Sequence, residues 1–250
     1  MISYVSQMVR LVLFELSKYN FMVRYIDGDG PEAISLDDFD AIVSLAYNTK
    51  VEALAAQVRS PIVSLNFPIR RPGAFPILSD HRQSARIATE YLLTMGHRKI
   101  MLLGFQGDGW GCRERVTAFL ETMRTCRGAE PQTGFTREEP LDNIFLRMRQ
   151  SGCTALINFA EDVLMRVPFQ LTHVMKLRIP EELSLISEDL PGVSPFGIPP
   201  LTAVHQPLDK LVLKGVETLG RILHGEPVSE TPVVFDNELI IRDSVRRLVQ

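Results

Sequence analysis

Apolar positions along the chain fall into two alternating patterns. Short runs of aliphatic and β-branched residues recur at 21–26 (FMVRYI), 41–46 (AIVSLA), 61–65 (PIVSL), 75–79 (FPILS), 99–105 (KIMLLGF), 154–160 (TALINFA), 183–187 (LSLIS) and 232–235 (PVVF). Continuous apolar runs of this length suit strands buried on both faces. Between them the apolar spacing is helical, which predicts helices over 3–18, 50–58, 83–95, 113–125, 143–149, 162–175 and 208–223. In the helix over 83–95, Ala88, Tyr91, Leu92 and Met95 fall at i, i+3, i+4 and i+7, and Gly96 stops it. Strand–helix alternation implies parallel sheets with right-handed crossovers. The strand spacing opens between 105 and 154, which points to two subdomains. The Pro/Gly-rich segment 191–200 (PGVSPFGIPP) predicts a long loop.

Composition narrows the class. At about 150 residues per domain, the 250 residues make one or two domains. Hydrophobic residues are 45% and charged residues 23%, the balance of a globular chain rather than a disordered one. A net charge of −3 argues against a self-sufficient basic binder of nucleic acid. Cys112, Cys126 and Cys153 are odd in number and lack C-x-x-C spacing, which argues against a disulfide framework and a zinc site. A reduced, cytoplasmic chain is expected. The first twenty residues carry Arg10, Glu15 and Lys18 within their apolar run, unlike a signal peptide. No uncharged apolar stretch of about 18 residues occurs, so no transmembrane helix and no membrane partner are expected.

In parallel α/β sheets, ligands lie beyond the carboxyl ends of the strands. There the sequence places Tyr47 and Asn48, Asp80, Gln106, Asp108 and Trp110, then Glu161 and Asp162, and Glu188 and Asp189. Arg113 and Arg115 open the helix after Trp110. Carboxylates accept hydroxyl hydrogen bonds, arginine donates in a fixed fork, and an aromatic face covers the apolar side of a sugar ring. The set suits a neutral polyhydroxylated ligand. Simpler roles compete: Asp80 with Gln83 fits a capping box, Asp162 an N-cap, and Arg113 or Arg115 a solvated helix charge. The loop 104–111 (GFQGDGWG) matches neither a P-loop nor G-x-G-x-x-G. The five histidines show no metal spacing, and no G-x-S-x-G elbow occurs. Binding is favoured over catalysis, with no metal or cofactor.

Residues 79–119 resemble the effector-binding domain of the lactose-repressor (LacI/GalR) family of transcription regulators. The resemblance lies in an Asp after a strand, a helix ending Gly96-His97, a strand, a Gly-rich loop and Arg115-Val-Thr-Ala-Phe119. IPEELSLISED (179–189), PPLTAVHQP (199–207) and LIIRDSV (239–245) are similar to three further family segments in the same order. The resemblance implies a two-lobed periplasmic-binding-protein-like α/β fold with a small sugar- or nucleoside-like effector clamped between the lobes. It implies a first lobe of 1–97 and 203–230, a second of 98–202 and 231–250, and a homodimer through the first. Carried over by residue, Arg115 clamps the effector, Asp189 contacts it, and Asp80 ends a strand beside it. Trp110 and Tyr47 complete the candidate set. Glu161 stands where many members have Asn, and Ser187 replaces a glycine.

A family regulator carries an N-terminal helix-turn-helix that reads operator DNA. The chain shows none, and the strand expected before its first helix is absent, so a piece of a longer regulator is expected. The expected function is the ligand-sensing and dimerising part of a repressor, with a stand-alone transport sugar-binding protein as the alternative. A sugar-phosphate or nucleotide enzyme ranks third. The dipole of the helix opened by Arg113 mildly disfavours a cation in its first turns. Replacing Arg115 is therefore expected to spare folding and weaken binding.

Overall fold

The computed structural model describes residues 4–26, 38–45, 49–107, 109–190 and 192–248. Its elements begin with α1 (Tyr4–Leu16), β1 (Ile42–Ser44), α2 (Thr49–Gln57), β2 (Ile62–Leu65), β3 (Ala74–Ser79), α3 (His81–Thr94) and β4 (Lys99–Gly104). There follow α4 (Trp110–Arg124), β5 (Glu130–Phe135), α5 (Leu141–Gln150), β6 (Ala155–Asn158), α6 (Arg166–Phe169) and β7 (Ser184–Glu188). The last are β8 (Thr202–His205), α7 (Leu208–Leu223), β9 (Val233–Phe235) and β10 (Glu238–Ile240). Contacts divide the chain into two units, 1–79 with 207–235 and 80–206 with 236–250.

The first unit holds a parallel sheet in the order β1-β2-β3-β9. Met8, Val12 and Leu16 of α1 pack with Leu211, Val212, Val216 and Leu219 of α7, and this core includes Val63 and Leu65 of β2.

The second unit holds a sheet in the order β10-β8-β7-β6-β4-β5. Every pair in it is parallel except β10 with β8. Alternation along the strands divides its core. Met101 and Leu103 of β4 pack with Ile144, Phe145 and Met148 of α5. Ile100 and Leu102 pack with Ala85, Ala88 and Leu92 of α3 and with Ala118, Phe119 and Met123 of α4. A strand covered on both faces has no polar side, which is why KIMLLG is continuously apolar.

Several elements differ from the sequence expectations. Residues 21–26 form no strand, and Met22, Val23 and Tyr25 are exposed. An apolar run becomes a strand only where a neighbour supplies ladder partners, and no strand of the described residues pairs with it. The polar edge strand β5, short β8 and antiparallel β10 lack the long apolar runs that predict strands. The helix expected over 162–175 is one α-turn, α6, followed by a π-turn at Gln170–Val174. Pro168 cannot donate to the α-helical ladder there. Helix α3, expected in the first lobe, belongs to the second unit because its apolar stripe packs on that sheet. The strand at 233–235, expected in the second lobe, pairs with β3 in the first unit.

His97 ties the C-terminal segment to the second unit. The ring is fully buried. Its Nε2 donates to the Arg246 carbonyl at 3.1 Å, leaving Nδ1 to accept from the Thr154 hydroxyl at 2.9 Å. Gly96, at φ +93°, makes the turn, and a Cβ there would meet the Leu248 carbonyl oxygen at 2.8 Å. Burial lowers the His97 pKa from its ordinary 6.5, with Arg246 and Arg98 adding to the effect and the Arg246 carbonyl opposing it. Below the unfolded value the unfolded chain therefore binds more protons, and stability falls as pH falls. Denaturation midpoints should drop from about pH 7 to about pH 5 more steeply in wild type than in His97→Gln.

Candidate functional site

Strands β4 to β8 run parallel, so their carboxyl ends form one edge of the second unit. Gly104 lets α4 start close to β4, since a Cβ there would lie 2.5 Å from the Cys112 sulfur and 3.2 Å from the Phe135 ring. Burial raises the Cys112 thiol, with Arg115 opposing. Helix α4 then carries Arg115 inward while Arg113 stays exposed.

The Arg115 guanidinium donates to Glu188 Oε1 at 3.2 Å, and the two side chains are only 11% and 8% exposed. It also lies 4.7 Å from the centre of the Phe159 ring. Burial pushes the Glu188 carboxyl up, and Arg115 pulls against it. Glu161 follows β6 at the same edge. It touches solvent, yet crowding by protein raises its carboxyl; Glu188 and Asp162 add to the shift and Arg115 opposes it. Two buried donors here have no partner among the described residues, Arg115 Nε and Asn158 Nδ2. Asn158 is fully buried at the end of β6, its carbonyl oxygen accepting from the Ala160 amide at 3.2 Å. Each unmet buried donor costs about 1–3 kcal/mol, which an arriving acceptor recovers.

The structure thus brings Arg115 and Glu161 together around Glu188. It gives other candidates local work. Asp80 caps α3, accepting from the Gln83 amide at 2.9 Å. Gln83 does not close the capping box; its carbonyl oxygen accepts from the Asn237 amide. Asp80→Ala should lower stability by about 0.5–2 kcal/mol in a denaturant titration, the usual loss for such a cap. Asp189, 3% exposed, is held by Arg242 at 3.3 Å and by His205 Nδ1 at 3.2 Å. Trp110 is the first residue of α4, not a loop residue, and sits edge-on to His81 with ring centres 5.2 Å apart. Tyr47 lies outside the described residues, as do Asn48 and Asp108. Asn158 is missing from the expected edge set, because an amide inside an apolar strand run looks like a strand residue; Glu188 is in that set, but not among the candidate ligand contacts. Their signal is the lone polar side chain at the last position of a buried strand.

No group of three or more His, Cys, Asp or Glu among the described residues is placed to hold a metal ion. None of the described helices is long and apolar enough to cross a membrane.

Residues 89–245, well over half the chain, match the family model of the periplasmic binding protein-like domain. The chain belongs to that family. The match takes in every residue of the polar edge from Arg115 to Glu188. Within this domain family, homologues of the chain are HTH-type transcriptional regulators. DegA of Bacillus subtilis is 25% identical over 202 residues, covering 79% of this chain and 59% of DegA. The chain therefore spans less than two thirds of that relative's length. The transcription regulator CcpA of Lactococcus lactis has the same fold, with TM-score 0.82, 20% identity, and coverage of 97% of this chain and 94% of CcpA. So does a LacI-family regulator from Enterococcus faecium solved with bound ribose, with TM-score 0.81, 17% identity and coverage of 98% and 94%.

Proposed function

We propose that the chain is the effector-sensing part of a cytoplasmic transcriptional repressor, binding a small sugar-like molecule at the carboxyl edge of its six-stranded sheet. The observation that carries this reading is the buried Arg115–Glu188 pair with the Arg115 Nε donor left unmet among the described residues. A domain built only for stability gains little from such a cluster, because well-packed apolar residues serve as well or better. A polyol supplies what is missing: a hydroxyl oxygen for the Arg115 donor and hydroxyl protons for the carboxylates. The ribose bound by the E. faecium regulator supports the ligand class. Binding rather than catalysis fits relatives that are regulators.

DNA recognition in this reading belongs to a helix-turn-helix outside these residues, in keeping with the net charge of −3. Dimerisation is assigned to the first unit, where Leu13 and Phe14 stand exposed on α1. Trp110 is the single tryptophan of the chain. Titration with neutral pentoses and hexoses should change its fluorescence saturably and raise the melting temperature with at least one of them. A panel that moves neither signal would overturn the reading.

A further inference from the structure

The charges at the polar edge are unequal. The groups that act on Glu161 are Glu188, Arg115 and Asp162, three carboxylates in all against one guanidinium. That guanidinium already serves Glu188 at 3.2 Å. The other nearby acid–base partners are also taken. Asp189 holds Arg242 and His205, and Asp162 accepts from the Thr136 hydroxyl at 2.9 Å. Among the described residues, Glu161 alone of these carboxylates has no cation or hydroxyl bonded to it, and it is exposed. The N-terminus of α4 would by itself favour an anion. The loop before it, however, already spends the Gly107 amide on the Glu138 carboxylate at 3.0 Å.

We infer that this edge prefers a sugar carrying a protonated amine, held by Glu161, and rejects the carboxylated and phosphorylated forms of the same sugar. The inference rests on the proposed reading of this edge as a sugar site. The donor Arg115 Nε is left for a ligand oxygen, and that residue is nine-tenths buried. The amine fills the role that no side chain fills at Glu161. An added anion would meet the unpaired charge of Glu161, with Glu188 and Asp162 acting alongside it, and an arginine already engaged. The upward pull on the Glu161 carboxyl has the same origin, since crowding and Glu188 both disfavour its ionised form.

The test is calorimetric titration of the full chain at low salt. The probes are glucose, galactose and ribose, each in four forms: the neutral sugar, its amino sugar, its uronic acid and its terminal phosphate. The expected result is an amino sugar binding about tenfold tighter than its neutral parent, with the acid and the phosphate at least about tenfold weaker than that parent. Glu161→Gln, at an exposed position, should bring the amino and neutral forms to within about threefold of each other. A uronate or phosphate that binds most tightly overturns the inference, and so does a neutral parent that matches its amine; both leave the sugar site standing. A preference for the amine that survives in Glu161→Gln overturns the role of that residue. No heat from any sugar in any form overturns the sugar site itself.

Discussion

Arg115→Leu is expected to lower stability by about 3–5 kcal/mol near pH 7, because it strips a buried carboxylate of its partner. The Glu188 side chain is 8% exposed and, among the described residues, keeps no other ionic contact. This corrects the expectation that replacing Arg115 spares folding: the helix dipole argument concerned the helix alone and could not see the glutamate on β7. Burial already raises the Glu188 carboxyl in the presence of the guanidinium, and without it the rise is larger. A carboxyl raised by folding destabilises above its folded pKa and is harmless below its unfolded one. The deficit of Arg115→Leu should therefore shrink as pH falls towards about 4.5, the ordinary value. Adding Glu188→Leu should recover most of the loss, since an apolar pair replaces a buried ion pair at little penalty. Urea denaturation of the single and double variants at two pH values checks this. A single variant as stable as wild type at neutral pH would show that the pair is not buried in solution.

Phe119→Ala is expected to be as damaging, at about 3–5 kcal/mol. The ring is fully buried between α3, α4 and the sheet. It lies one helical turn after Arg115, so the same face of α4 carries both. Phe119 anchors the helix and Arg115 projects from the anchored face to Glu188. Loss of the ring should thus weaken sugar binding as well as stability, though it touches no ligand. Arg113→Ala, on the exposed face, should change neither. Denaturation and titration of wild type and these two variants separate the effects.

The strands and helices of the second unit were legible wherever burial was two-sided. KIMLLG, TALIN and LSLIS are strands because apolar residues fill both faces, and Phe119 fits because α4 has one apolar stripe. Where burial is one-sided or local, the sequence signal fades. The outer strand β5 carries Glu130, Gln132 and Thr133, and looks like a loop. The run at 21–26 has the right residues but no neighbouring strand among those described. The placement of α3 depends on which sheet meets its stripe, a tertiary fact with no local code.

Glu161 is found from position alone, just past a strand run, whereas Arg115 follows a Gly-rich loop but is singled out from Arg113 by the family resemblance. Glu188 stands in the edge set without a role, because its role comes from Arg115, far away in sequence. Asp189, the next residue, looked like the ligand contact, yet its carboxylate faces Arg242, contributed by the C-terminal segment. No spacing rule links positions that distant.

The central claim is that the carboxyl edge around Arg115 holds the effector. Its most direct test is calorimetric titration of wild type, Arg115→Lys and Arg113→Ala with the tightest-binding sugar of the panel. Lysine keeps a positive charge beside Glu188 but loses the planar fork and the Nε donor. The account predicts that Arg115→Lys loses about 1.5–3 kcal/mol of binding, roughly ten- to a hundredfold, while Arg113→Ala binds like wild type. Equal affinity in wild type and Arg115→Lys would contradict it.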